Sequence, residues 1–196
     1  MPKRLILALF VLLFALGSVG ASPLVLHPKP HEGYEIKDGK IYFRKGNAGI
    51  ILEVANSEII KKYYNDRGAQ IENPFSNLGD DVQNGAIFLV TLLNRTNGSL
   101  TFTPRYVIGR IKTEAFFPLD SFTIMEVFED VEPRKRKILE NSIFHQPELL
   151  HPGMIVTKFL VFPALPKKFD DLRLQFDYLY FENAEIKSDF FFTTKK

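Results

Sequence analysis

The sequence contains no cysteine and no tryptophan. Without cysteine the chain forms no disulfide, and zinc–thiolate and iron–sulfur sites are excluded. The fold must therefore depend on its hydrophobic core. For that core the chain supplies 19 phenylalanines and 7 tyrosines, whose large side chains bury much apolar area.

The chain also lacks a large net charge of either sign. It has 25 Lys and Arg against 23 Asp and Glu, and the N-terminal Lys3 and Arg4 account for the whole excess. Residues 22–196 are therefore neutral. A neutral domain offers no electrostatic basis for nucleic-acid binding, so we expect no nucleic-acid partner.

The N-terminal segment has the three parts of a secretory signal peptide. Lys3 and Arg4 give a positive start, an unbroken apolar run follows from Leu5 to Leu16, and small residues lead to Ala21. The apolar run is shorter than the roughly 20 residues that a membrane-spanning helix needs. We predict a signal peptide over residues 1–21, periplasmic or secreted localisation, and no stable membrane insertion after cleavage. An uncleaved membrane anchor is the alternative.

The remaining sequence is predicted to form one domain behind an extended lead-in. Residues 22–38 contain three prolines and no sustained periodicity, with an edge strand expected at Leu24–Leu26. Residues 39–196 carry strand and turn patterns without an internal repeat. We therefore predict a single β-sandwich domain over 39–196.

Alternating apolar and polar residues predict two hairpins. Leu172–Tyr180 and Ile186–Phe192 alternate over their whole length and are joined by a turn at Glu182-Asn183. Lys40–Arg44 and Ile50–Ala55 are likewise separated by a turn. The first pair predicts an antiparallel hairpin that closes the fold.

Three further segments complete the predicted sheets. The apolar run Ile87–Leu93 predicts a central strand buried on both faces, and Asn97-Gly98 predicts a hairpin turn to Leu100–Thr103. Ile155–Phe162 is predicted to be a strand that Pro163 ends. Seven or eight strands with frequent turns favour an antiparallel β-sandwich, mainly β, with one to three short helices inserted. A closed barrel would use the same strands and remains an alternative.

Helical patterns are few. Ser57 and Gly68 bracket a short amphipathic helix that we expect to pack on a sheet. Between Pro118 and Glu140, Ser121 is predicted to cap a helix, and Arg134–Asn141 to form a second one. The first of these is expected to place one apolar face toward the sheet: Phe122, Met125 and Phe128.

Two stretches carry a resemblance to a known group of proteins. Phe88–Pro104 reads as a strand ending in Asn, a turn, and a returning strand ending in Pro, while Leu150–Pro163 has a Pro-Gly turn before an apolar strand. Together they resemble bacterial secreted immunoglobulin-like β-sandwich proteins of unknown function, the extracytoplasmic DUF4352-type domains. The resemblance covers Gly85–Phe192 and implies a sandwich fold and an extracytoplasmic location. It carries over no catalytic residue.

Candidate chemistry is sparse. No Gly-x-Ser-x-Gly elbow is present, and prolines between His27 and His31 forbid the helix on which their spacing would form a metal pair. His145, His151 and Met154 are residue types that bind copper, but their prolines and glycine are typical of an ordinary loop. We predict no catalytic residue, no metal and no cofactor.

The remaining candidates form a possible interaction surface. They are a basic run and four aromatic residues out of phase with the inward faces of their neighbours: Arg134, Lys135, Arg136 and Lys137, with Phe116, Phe117, Phe181 and Phe191. For the basic run a solvated helix face is the favoured alternative. For the aromatic residues, the favoured alternative is burial beneath helices that pack on the outside of one sheet.

These observations favour an exported, non-enzymatic binding or protein-interaction module of the cell envelope. Its expected partner is another envelope or secreted protein. Two alternatives stay open, a carrier of a small apolar ligand and an unrecognised hydrolytic enzyme. A Phe-lined hollow interior would favour the carrier, and acids or bases in a cleft would favour the enzyme.

Overall fold

The computed structural model describes residues 24–69, 71, 74–77, 85–166, 169–181 and 184–194. The predicted signal peptide and the predicted turn at 182–183 lie outside these ranges. The strands are β1 (His27–Pro28), β2 (Tyr34–Lys37), β3 (Lys40–Lys45), β4 (Ala48–Val54), β5 (Gly85–Asn94), β6 (Leu100–Phe102), β7 (Val107–Ile111), β8 (Glu114–Phe116), β9 (Glu148–Leu150), β10 (Ile155–Ala164), β11 (Leu172–Phe181) and β12 (Ala184–Thr193). The helices are α1 (Ser57–Asn65), α2 (Ser121–Val127) and α3 (Pro133–Ser142), with 3-10 turns at Pro74–Asn77 and Pro104–Tyr106.

The strands form two antiparallel sheets, which confirms the predicted β-sandwich. The first sheet has the order β1-β12-β11-β6-β9; β7 also pairs with β11, and β8 with β7. The second sheet has the order β10-β5-β4-β3-β2. Both predicted hairpins are present, β11 with β12 and β3 with β4.

The main core lies between the two sheets. Its large side chains alternate along the strands and include Phe88, Phe102, Phe176, Phe190 and Phe192, each at most 1% exposed. A second cluster lies on the outer face of the second sheet, where α1, α2 and α3 pack around Phe159 and Val161. Within the described residues no helix is both long and apolar enough to span a bilayer.

The strand β5 is central, between β4 and β10, as its apolar run predicts. Its alternate residues from Ala86 to Asn94 are buried, whereas the outward ones are half-buried. Ile87 and Leu89 on the outward face pack against the helical cluster. The continuous apolar run therefore reflects one face in the main core and the other partly covered by helices.

The predicted hairpin at Asn97-Gly98 is wrong. β5 and β6 belong to different sheets, so the chain crosses the sandwich here instead of turning back along its neighbour. Asn97 does not take the positive φ that a two-residue hairpin turn requires. The crossing is organised by the buried Asn94 amide, which donates to the carbonyl oxygens of Gly98 and Leu150, both at 2.8 Å.

Two other details differ from the sequence expectations. β10 continues through Pro163 to Ala164 with a register shift after Phe162. Because β10 is an edge strand, the missing N–H of proline is tolerated there. The strand expected at Leu24–Leu26 is instead at His27–Pro28, although Leu26 is buried.

The predicted lead-in contributes one strand to each sheet. β1 pairs with β12 in the first sheet, and β2 pairs with β3 in the second. Between the sheets, the Asp189 N–H donates to the Tyr34 hydroxyl at 2.8 Å. Burial raises the pKa of that hydroxyl, so it stays protonated at neutral pH.

Candidate functional site

Residues 117–144, between β8 and β9, form a helical insert that is hydrogen-bonded near both ends to β10. The Leu119 N–H donates to the Val161 carbonyl at 2.8 Å, and the Phe144 N–H donates to the Phe159 carbonyl at 2.7 Å. These bonds use the outer edge of β10, which has no strand neighbour on that side in the described sheet. The insert is therefore a fixed part of the sandwich surface.

The helix α2 begins after Asp120, whose carboxylate accepts the Thr123 N–H at 2.9 Å. This hydrogen bond lowers the pKa of Asp120. The prediction that Ser121 caps the helix is wrong by one residue. Asp and Ser cap helices about equally well, so residue type alone does not choose between neighbouring positions.

The face of α2 that packs inward is also different from the predicted one. Ile124 and Phe128, four residues apart, are buried with 1% and 3% exposure. Phe122 and Met125 are 76% and 53% exposed, so of the three residues expected to pack, only Phe128 does. The i, i+4 pair of Ile124 and Phe128 was the sequence signal for the correct phase.

The insert carries both exposed apolar and exposed basic side chains. Phe117 is 53% exposed just before α2, and Arg134, Lys135 and Lys137 are exposed on α3. We call the following six residues the insert surface: Phe117, Phe122, Met125, Arg134, Lys135 and Lys137. Phe117 and three members of the basic run were expected from the sequence, whereas Phe122 and Met125 were missed.

Arg136 differs from its basic neighbours. Its Nε donates to the Glu140 carboxylate at 2.8 Å, and both side chains are about 30% exposed. Its Nη2 donates to the Met125 carbonyl at 3.4 Å. Arg136 thus fastens α3 to α2 and leaves the outward positive charge to the other three basic residues.

The other three predicted aromatic residues belong to strands of the first sheet. Phe116 in β8 is half-buried and packs against the main core. Phe191 in β12 is half-buried with the His31 ring 4.6 Å away, so His31 belongs to a packed contact of the lead-in. Phe181 ends β11, and its side chain lies outside the described part. The structure therefore places Phe116 and Phe191 in packed contacts of the first sheet and not in the insert surface.

A serine and a histidine meet where the insert ends. The Ser121 Oγ lies 3.0 Å from the His145 Nδ1 and 2.9 Å from the His145 carbonyl oxygen. When the hydroxyl donates to the carbonyl, Nδ1 must be the donor to Oγ, and a protonated Nδ1 cannot act as a base. This pair holds the start of α2 to the chain after α3.

The environment of His145 favours its neutral form. Burial lowers the pKa of the imidazole from its ordinary 6.5, and the positive charge of Lys158 lowers it further. Glu140 and Glu148 act in the opposite direction. Lys158 itself forms a half-buried ion pair with Glu148.

His151 and Met154, the other residues considered as copper ligands, contact each other within a local turn. The Met154 sulfur accepts the His151 backbone N–H at 3.2 Å, which is a local turn contact. Across the described ranges, no three His, Asp or Glu side chains converge in a way that could hold a metal ion.

Comparison with protein-family models, with curated proteins and with solved structures finds no match for this chain.

Proposed function

We propose that this protein is an exported, non-enzymatic binding module of the cell envelope, and that the insert surface contacts another envelope or secreted protein. Export follows from the proposed cleavage of the signal peptide after Ala21. The resemblance to secreted immunoglobulin-like sandwich proteins, which is itself a hypothesis, also implies an extracytoplasmic location.

The observation that carries the proposal is the clustering of exposed apolar side chains on one element. Single exposed apolar residues are common, whereas a group of them rimmed by charge is typical of an interaction site. Phe122 and Met125 lie three residues apart on α2 and therefore share one side of the helix. Aromatic residues and methionine are enriched at protein interfaces.

The basic residues define the chemistry of the partner. Arg134, Lys135 and Lys137 are exposed on α3, the helix that Arg136 joins to α2 through the Met125 carbonyl. A complementary partner offers an apolar pocket bordered by Asp or Glu side chains. In such a contact Phe122 is the main anchor, and the basic residues speed the encounter and orient it.

A photo-crosslinking amino acid at position 122 tests the proposal in the host envelope. We expect one defined protein adduct, and a weaker yield when Lys135→Glu reverses a charge at the rim. Val25, which is 56% exposed outside the insert, gives a matched control position that should yield no such adduct. Identical adducts from both positions, an adduct only to a second copy of this chain, or no adduct would overturn the proposal.

A further inference from the structure

In the part of the chain that the structure describes, the helices cover the outer face of the second sheet around β5 and β10. Beside them, where β3 and β5 end and β2 and β4 begin, there is a groove of about 540 Å³. Its volume falls within the range of roughly 300–1,000 Å³ that small-molecule sites occupy. The groove lies outside the insert surface and shares no residue with it.

Gly49 lies in the floor of this groove. In the sheet register Arg44 lies opposite Gly49 on one side, and Leu93 lies opposite it on the other. A Cβ at position 49 would lie 3.2 Å from the Phe43 carbonyl oxygen and 3.4 Å from the Leu93 Cδ1. A side chain at position 49 would therefore require its neighbours to shift by a few tenths of an ångström, and with glycine no side chain projects between Arg44 and Leu93.

The walls of the groove are apolar. Tyr42 and Ile51 are a cross-strand pair in the neighbouring row, and both line the groove together with Leu93. All three are half-buried, so part of each side chain remains in contact with solvent. An apolar molecule placed there would remove this surface from water.

The rim carries more positive than negative charge. Arg44 and Arg95 line the groove, and Glu35 is the one carboxylate among its lining residues. The Arg44 Nε donates to the Gly46 carbonyl at 2.8 Å, which orients the guanidinium. The backbone N–H of Arg95 donates to the Asn47 carbonyl at 2.9 Å, which fixes the base of that side chain.

We propose that this groove binds a small amphiphilic carboxylate, with the carboxylate at Arg44 and Arg95 and the apolar body over Gly49 against Tyr42, Ile51 and Leu93. The planar guanidinium group pairs with carboxylates through two parallel hydrogen bonds. The apolar floor distinguishes such a ligand from a fully polar anion. The site is open, so the affinity is modest.

Titration of the isotope-labelled exported chain with octanoate, followed by NMR, tests this assignment. We expect saturable shifts at the amides of Gly49, Arg44 and Leu93, with a dissociation constant on the order of millimolar. Replacing both arginines, Arg44→Gln with Arg95→Gln, should weaken binding about tenfold or more, because charged hydrogen bonds are lost. Lys45→Gln removes one positive charge from the neighbouring exposed residue, which does not line the groove, and should leave the affinity unchanged, whereas Arg44→Gln alone should weaken binding.

Two further ligands separate the parts of the proposal. Octan-1-ol, which has the same chain without the charge, should bind at least several-fold more weakly, and inorganic phosphate should not saturate the same amides. Equal binding of the alcohol would refute the role of the arginines, and equal binding of phosphate would refute the role of the apolar floor. Absence of saturable shifts, or shifts centred on other residues, would overturn the site itself.

Discussion

Asn94 offers the sharpest test of how the sandwich is held together. It is 0% exposed at the end of β5, where the chain leaves the second sheet for the first. Its amide nitrogen donates to the carbonyl oxygens of Gly98 and Leu150, and its side-chain oxygen accepts the Thr96 N–H at 3.1 Å. The side chain thus connects the crossing segment to β9. Asn94→Ala removes all of these bonds at once.

The loss of stability in Asn94→Ala can be estimated from the backbone groups that lose their hydrogen-bond partner. A buried carbonyl or N–H without a partner costs about 1–3 kcal/mol. Thr96 and Gly98 are half-buried whereas Leu150 is buried, so water can replace the lost bonds at the Thr96 N–H and the Gly98 carbonyl more easily than at the Leu150 carbonyl. We therefore expect Asn94→Ala to lower the free energy of unfolding by about 3 kcal/mol. For a domain of this size that corresponds to a decrease in Tm of about 6–12 °C.

Urea unfolding followed by circular dichroism measures this change without relying on tryptophan. Thr96→Val removes only the hydroxyl bonds to Asn94 and Gly98 and should cost about 1 kcal/mol. Asn97→Ala, at an exposed position of the same turn, should stay within about 0.5 kcal/mol of the wild type. A loss for Asn94→Ala no larger than that for Asn97→Ala would refute the reasoning.

Four other predictions concern stability. Burial raises the pKa of Tyr64 above its ordinary 10.0, so the free energy of unfolding should fall as the pH rises above 10, because the unfolded chain loses this proton first. Tyr64→Phe should reduce that alkaline slope, measured by urea unfolding at several pH values, and cost about 1 kcal/mol near neutrality through loss of the 2.7 Å bond to Ser142. Because the pKa of His145 is lowered, stability should decrease as the pH falls below 6.5 and level off below the folded pKa; His145→Gln should flatten this decrease. Ser188 is 4% exposed and its Oγ has no hydrogen-bond partner among the described residues, so Ser188→Ala should raise the free energy of unfolding by about 1 kcal/mol in the same assay. Phe122→Ser should leave the Tm almost unchanged, because Phe122 is 76% exposed, and a clear decrease in Tm would contradict the assigned phase of α2.

The sequence predicts elements whose signals are local. Period-two alternation identifies β11 and β12, and turn residues identify the β3–β4 hairpin, because the side-chain direction in a strand follows directly from position. The same reasoning fails at Asn97-Gly98. Alternation states which face of β6 is buried but not which strand pairs with it, and its neighbours β9 and β11 come more than 40 residues later in the chain.

The candidate site could be predicted only in part. The basic run on α3 is exposed as such runs usually are, and Phe117 falls out of phase with the core. The packing of α2 depends on where β10 presents Phe159, which is a tertiary property. The groove beside Gly49 was not anticipated, because the cross-strand row of Arg44, Gly49 and Leu93 exists only once three strands are in register.

Native mass spectrometry of the chain recovered from the exported fraction tests export and complex formation in one experiment. We expect a chain beginning at Ser22, part of it in complex with a second protein, and loss of that complex in the stably folded Phe122→Ser variant. A chain that keeps residues 1–21, or a complex that persists unchanged in the variant, would contradict it.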